Sequence, residues 1–224
     1  EALGWKGEPA PNARKECANA GFCLLGCPFD RKQSQILTNI PKAMSLGADL
    51  YADTRVTRIN VVGGQARGLE ATVTHPRTGE VTARLTVRAR VVVLAAGGVG
   101  SPSLLLNTGL ANSSGQVGQN FVVTPHFFTM ALMKERVEGW TGLPCSYVCR
   151  HWEEQRGTEG GYMIQGVFAQ PGMIATVTPG FGRAHRALME RLPYFAAVLS
   201  LIDDEEPGTV TVDQRGRSVI DYHL

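Results

Sequence analysis

Two stretches of this 224-residue chain carry residue types whose spacing suits chemistry. The first is Cys17, Cys23 and Cys27, three thiols separated by five and then three residues. Thiolates are the usual ligands of iron–sulfur clusters and common ligands of zinc. Three of them suit a three-iron cluster or an incomplete zinc site. The same set also reads as a reduced, structural cysteine-rich loop. Cys145 and Cys149, close to His151, form a sparser group that core packing explains without a metal.

The second stretch is VVVLAAGGVGSPSLLL, residues 91–106. A continuous apolar run of this length reads as a strand buried on both faces of a parallel sheet. Ala96-Gly97-Gly98 then makes a glycine turn, and the apolar residues after Ser101-Pro102 begin a helix ending near Thr108-Gly109. A helix N-terminus offers free backbone N–H groups and a positive dipole end, and glycines let a phosphate or ribose come close. Crevices at the carboxyl ends of parallel strands are where dinucleotides bind in doubly wound sheets. The alternative is an ordinary tight turn with close helix–sheet packing. A GxGxxG fingerprint opening a βαβ unit, which would hold a pyrophosphate, is not found in the chain.

The elements that must position these residues follow from periodicity. Residues 1–32 are rich in Gly, Pro, Asn and Cys and read as an irregular loop after a short helical start. Apolar residues recur at helical spacing over 34–46. Pro41 places the helix proper from about Asn39, with Gly47 as its C-terminal stop. Residues 48–52 read as a short strand. Strands over 56–62, 68–74 and 81–87, joined by Gly63-Gly64 and by Pro76-Arg77-Thr78-Gly79, make an antiparallel meander with one face buried. Beyond residue 120, strands are expected over 127–133, 163–169, 195–202 and 210–212. A helix is expected over 183–192, and Asp213-Gln214-Arg215-Gly216 forms a hairpin turn. Trp140, Trp152, Tyr147 and Tyr162 suit either a core or a substrate pocket in this second part, and 203–206 reads as a solvated acidic loop.

Composition narrows the function classes. An apolar share of 43% with 19% charged residues excludes intrinsic disorder. Lys+Arg 22 against Asp+Glu 20 gives +2, so no global field points to nucleic acid or an anionic membrane. Nothing approaches the roughly 20 apolar residues of a membrane span. The 26 glycines are an excess that implies many tight turns or close backbone approaches. The chain begins at Glu1 and breaks off at Leu224 in what reads as mid-strand, so a middle segment of a longer polypeptide is expected.

Several motifs in order give the chain a resemblance. Asn12-Ala13-Arg14 leads into the cysteine cluster ending Gly26-Cys27-Pro28, then Lys32-Gln33-Ser34, Ile40-Pro41-Lys42-Ala43, Gly47-Ala48 and Val56-Thr57-Arg58-Ile59. The run from Ala95 through Pro102 to Thr108-Gly109-Leu110 follows, and then Val117-Gly118-Gln119-Asn120-Phe121. Residues 12–125 resemble the middle of the glucose–methanol–choline (GMC) family of FAD oxidoreductases, nearest its long-chain-alcohol, sterol and sugar-acid branches. The tail 208–224 resembles the closing hairpin of that family's substrate domain.

The resemblance implies an α/β chain: part of an FAD-binding, glutathione-reductase-like fold over 34–119 and part of an antiparallel-sheet substrate domain over 120–224, with 1–33 as the cysteine loop. It implies that Val56 offers backbone groups to adenine, that Ala95, Ala96 and Gly97 line the ADP-ribose side of the FAD, and that Asn120 lies near the isoalloxazine. The family's His-Pro after that Asn is replaced here by 121–126, where Thr124 or His126 takes the position, and His126 reads as a structural histidine. The family's pyrophosphate unit and catalytic His are expected outside this chain, so no catalytic residue is assigned and the piece alone is expected to be inactive and to hold FAD weakly. The cysteine cluster becomes a loop over the flavin or, as in some sugar dehydrogenases, an iron–sulfur site. Two functions follow. One is hydride transfer from the CH–OH group of an alcohol, sterol or sugar to FAD, with the rest of the parent polypeptide as partner. The other is an iron–sulfur or other metal-binding electron-transfer module on Cys17, Cys23 and Cys27.

Overall fold

In the computed structural model, residues 4–153, 161–204 and 206–223 are described. They form two units that interleave along the chain. The first takes Glu1–Ala48 and Thr124–Asp203, the second Asp49–Val123 and Asp204–Leu224. These units do not follow the contiguous segments expected from sequence. Residues 34–48 belong with the first unit and the closing hairpin with the second.

The first unit is built on a five-stranded antiparallel sheet. Its strands are β1 (Gly7–Pro9), β5 (His126–Leu132), β6 (Tyr147–Trp152), β7 (Tyr162–Gly166) and β8 (Phe195–Ile202), in the order β1-β6-β7-β8-β5. No helix opens the described chain: the expected helical start is replaced by β1, which pairs with Tyr147–Cys149 of β6. Strand β6 carries no simple alternation and was not expected from periodicity. The core of this unit is Phe168, Ile174, Leu192 and Ala197, with Trp140, Met130 and Met189 packed around it. Helix α3 (Pro171–Val177) starts on a proline, which suits a first helical turn. It was missed because its short apolar run PGMIATV lies next to loop-forming residues. Helix α4 (Gly182–Glu190) is the expected amphipathic helix.

Helix α1 (Asn39–Ser45) starts where Pro41 demands it, and Gly47 follows in the left-handed region at φ +93°. Residues 48–52 are not a strand; Leu50 and Tyr51 are exposed in an unpaired segment.

The second unit contains the expected meander, β2 (Thr54–Val62), β3 (Gln65–Thr74) and β4 (Val81–Arg88), all antiparallel. Gly63 and Gly64 have φ of +60° and +75°, the sign that a tight two-residue hairpin turn needs at both positions. The register slips between Val56 and Arg58, so Thr57 is an extra, bulged residue. Burial of one whole face does not hold: Ala71 is buried, but β4 is exposed along almost its whole length.

Helix α2 (Gly97–Thr108) ends at Gly109 with φ +65°, as the sequence predicts. The apolar run before it is different from expectation. Residues 91–96 form neither helix nor strand, and Val91 and Val93 are 76% and 82% exposed. Val92 and Leu94 face inward. A strand of a parallel sheet needs a neighbouring strand to pair with and layers over both faces, and the described residues place no strand beside this run.

The closing hairpin, β9 (Thr209–Val212) and β10 (Ser218–Asp221), packs on α2. Ser103 of α2 is buried; its Oγ donates to the Val99 carbonyl oxygen at 2.7 Å and pairs with Ser218 Oγ at 2.8 Å. Asn107 Nδ2 donates to the Gly216 carbonyl oxygen at 2.9 Å. Gly118 has φ +83°, its carbonyl oxygen accepts the Val210 N–H at 2.7 Å, and an added Cβ would collide with the Val210 carbonyl oxygen. Gly118→Ala should therefore destabilise the chain by about 2 kcal/mol or more, from a left-handed backbone strained by a side chain and a displaced hydrogen bond. Urea unfolding read by circular dichroism measures it, and an unchanged midpoint would contradict the close packing.

Candidate functional site

The second unit carries a cavity of about 810 Å³. Its apolar part includes Val56, Ile59, Leu69, Val92, Leu94 and Leu104, contributed by the meander, the run 91–96 and α2. The bulge at Thr57 belongs to the same wall, and Thr57 Oγ1 donates to the Glu70 carbonyl oxygen at 3.3 Å. Four consecutive residues of this strand, Thr54 to Thr57, line the cavity at and before the bulge. Polar groups come from Thr54, Thr72, Ser103, Asn107 and Ser218. The charged lining residues, Arg55 and Arg215, are both cationic. An anionic ligand with an apolar body fits this distribution.

Of the residues expected to hold a cofactor, Val56, Ala95 and Ala96 line the cavity together. Gly97 does not line it; its φ of +75° makes the turn that starts α2. Asn120 also stands apart: it has φ +58°, and its Nδ2 donates to Gln116 Oε1 at 3.3 Å. Neighbouring Phe121 exchanges two backbone hydrogen bonds with Gly208, at 2.9 and 2.7 Å. Gly98 has an ordinary backbone and an added Cβ there would meet nothing within 4 Å, so nothing in the chain itself requires a glycine. The first turn of α2 has no acidic residue and no side-chain cap. That leaves its N–H groups open to an acceptor.

Sequence reasoning missed Arg215, Gly216 and Ser218 as cavity residues, because only tertiary packing brings the closing hairpin to α2. The turn that carries them is organised by Asp213. Its Oδ1 accepts the N–H groups of Arg215 and Arg217 at 2.8 and 2.9 Å, and its Oδ2 accepts Arg217 Nε at 2.8 Å. The Arg217 backbone N–H, then the Arg217 side chain, hold this carboxyl below the usual carboxylate range. Asp204 has a comparable role: its Oδ2 accepts the Tyr222 hydroxyl at 2.8 Å and the Val123 N–H at 3.2 Å. Of the acidic run, Glu205 lies outside the described residues.

Cys17, Cys23 and Cys27 line a separate cavity of about 190 Å³ in the first unit, with Arg14, Arg31 and Lys32 as its charged lining residues. All five cysteines are free. Among the described residues, no three His, Cys, Asp or Glu side chains are placed to hold a metal ion. The expected thiolate set thus shares one pocket but does not form such a group. Cys27 Sγ accepts the Arg31 N–H at 3.4 Å. Hydrogen bonds from the N–H groups of Phe29 and Arg31 pull its thiol below the ordinary value, against the nearby Asp30 charge. Burial pushes the Cys145 thiol up.

The five histidines each have local contacts. His75 Nδ1 accepts the Arg77 and Thr78 N–H groups, both at 3.3 Å. His126 and His185 bond the carbonyl oxygens of Thr124 and Ala175 at 3.0 and 3.1 Å. His151 packs edge-on to Trp152, and His223 lies 3.3 Å from Asp221. Of the four aromatics considered for a substrate pocket, Trp140 joins the core and Trp152 stacks on Tyr162 at 4.9 Å. Tyr147 is exposed and covers Gly7, where a Cβ would have no room.

Residues 1–126 match the sequence model of the GMC oxidoreductase family. A 2-methyl-1,2-propanediol dehydrogenase of Mycolicibacterium austroafricanum is 33% identical over 217 residues, 87% of this chain and 36% of that protein. An uncharacterised GMC-type oxidoreductase of Mycobacterium tuberculosis is 30% identical over the whole chain, which covers 34% of it. A long-chain-alcohol oxidase of Arabidopsis thaliana is 25% identical over the whole chain, which covers 31% of it. The chain thus spans about a third of the length of these relatives.

The Asp213 network has a pH signature. A carboxyl held low in the folded chain adds stability above its unfolded value and loses it as pH falls through the lower folded value. Asp213→Asn should lower the melting temperature at pH 7, and the gap to the wild type should close on acidification below the usual carboxylate range. A gap independent of pH would remove Asp213 from this role.

Proposed function

The chain belongs to the GMC oxidoreductase family, and on that premise we propose that it forms the adenosine side of an FAD site in an enzyme oxidising the CH–OH group of an alcohol. The observation that carries the reading is the shared cavity wall of Val56, Ala95 and Ala96. Support comes also from Gly98, whose missing side chain leaves open space at the start of an uncapped helix, and from the purely cationic charge of Arg55 and Arg215. These features fit the adenosine and diphosphate portion of a dinucleotide: apolar contact for the base, backbone groups for the ribose, cations for the phosphates.

In this reading Val56, in the bulged stretch, presents backbone groups to the adenine. Ala95 and Ala96 line the ribose, and Gly97 makes the turn that lets α2 point its N-terminus at the ligand. Asn120 faces the isoalloxazine, in a loop pinned to the closing hairpin through Phe121 and Gly208. The bound flavin would supply the two-electron acceptor for the alcohol's hydride. The family resemblance places the proton-accepting base outside this chain, so no histidine here is assigned that role. The relatives' names, a small diol dehydrogenase and a long-chain-alcohol oxidase, support simple alcohols as the substrate class rather than sterols or sugars.

Titration of ADP, AMP and adenosine into the chain, read by amide chemical shifts, tests the site. ADP should bind more tightly than adenosine and shift the amides of residues 54–57 and 95–100. Gly98→Val should weaken ADP binding at least about tenfold while leaving the circular dichroism spectrum unchanged, because the space it fills is empty of protein. ADP that shifts neither segment, or a Gly98→Val chain that binds as well as wild type, would sink the assignment.

A further inference from the structure

The loop between α3 and α4 of the first unit takes no part in the reading above. Phe181, at its tip, is 91% exposed, more than any other large apolar side chain among the described residues. Gly180 and Gly182 on either side of it have φ of +96° and +60°, backbone that glycine adopts freely, so the chain turns out and back around one aromatic ring. Val177, the last residue of α3, is 74% exposed, and Pro179 between them is exposed as well.

The base of the loop is fixed while its tip is bare. Ile174 of α3 and Leu192, just past α4, belong to the core, and Met189 packs against it. Thr178 Oγ1 donates to the Ile174 carbonyl oxygen at 2.7 Å, and His185 Nε2 bonds the Ala175 carbonyl oxygen at 3.1 Å, which ties α4 to α3. The apolar tip is thus held out from a stem anchored in the core.

The charge around the tip has one sign. No acidic residue occurs from 160 to 189, a local feature that the small net charge of the whole chain hides. Arg183 and Arg186 are both exposed and lie three residues apart on α4, so they share a face. Arg186 bonds Glu190 at 2.8 Å, but both side chains of this pair are largely in water, where such a bond contributes little and exchanges readily for another acceptor. A stable contact with another protein buries about 800 Å² on each partner, more than a tip of three apolar residues offers. A lipid interface asks for less: a few apolar side chains at the acyl boundary and cations at the level of the headgroups. We propose that the 177–186 loop docks the chain peripherally on an anionic lipid surface. Phe181 enters the acyl boundary with Val177 and Pro179 behind it, and Arg183 and Arg186 meet headgroup phosphates.

Flotation of the 224-residue chain with vesicles of equimolar phosphatidylcholine and phosphatidylserine, and with vesicles of phosphatidylcholine alone, tests the assignment. The chain should float with the mixed vesicles, less with the neutral ones, and less again as salt is raised. Hydrogen exchange of 177–183 should slow when mixed vesicles are added. Phe181→Ser should weaken vesicle binding at least about tenfold with an unchanged circular dichroism spectrum, because the ring is in solvent and supports nothing in the fold. Arg183→Glu combined with Arg186→Glu should abolish the preference for the anionic vesicles. A chain that floats with neither vesicle would overturn the proposal and turn the loop into a protein contact. Vesicle binding that Phe181→Ser leaves unchanged would overturn it too.

Discussion

Helix α2 is held in place by its neighbours, not by its own sequence. Its first six residues include three glycines and a proline, and it has no charged residue anywhere along its length. Glycine and proline are the poorest helix formers, so propensity alone would leave this segment unfolded. Contacts supply what propensity lacks. The Ser103–Ser218 pair and the Asn107–Gly216 bond tie it to the closing hairpin, and the close approach of Gly118 to Val210 ties the loop that follows it. Val210, only 1% exposed, is the deepest point of that packing. Of the glycines in its first turn, Gly100 lines the cavity, and an added Cβ there would lie 3.1 Å from the Ala96 Cβ.

Much of this unit could be read from the sequence where local chemistry decides. The Gly63-Gly64 turn and the stop at Gly109 are dictated by φ values that few residues adopt, and the start of α1 near Pro41 by proline's missing N–H. The grouping of Val56 with Ala95 and Ala96 came from the family resemblance rather than from periodicity. The contribution of Arg215 and Ser218 was not legible, because nothing in 213–218 marks which helix it will meet. The run 91–95 was misread for a related reason. Apolar residues in sequence report a capacity to be covered, and only the fold says whether a strand arrives to cover them.

The first unit obeys a different logic. Its sheet is antiparallel throughout, with a core concentrated around Phe168 and Trp140. Short strands such as β1 and β6 are fixed by pairing partners distant in sequence, so their own patterns are weak. The cysteines belong to the irregular part of this unit. Their spacing suggested a common metal, whereas backbone N–H groups turned toward individual sulfurs separate their chemistry. Backbone N–H groups of Phe29 and Arg31 lower the Cys27 thiol from its ordinary value and burial raises that of Cys145, a distinction of microenvironment that spacing cannot encode.

The interleaving of the two units has a consequence for biosynthesis. Ser103 must wait for Ser218, 115 residues further along. At ribosomal speeds of about 5–20 residues per second, that wait is on the order of ten seconds. The meander can close as soon as β4 has emerged, since its turns are local. Helix α2 can meet β2 at once, but its contacts with the closing hairpin wait until the whole antiparallel sheet of the other unit has been translated. During that interval its weak intrinsic helicity becomes useful: a segment that does not commit early cannot dock in the wrong place. Val91 and Val93, uncovered in the folded chain as well, add an apolar patch beside it, the kind of surface that holdase chaperones bind.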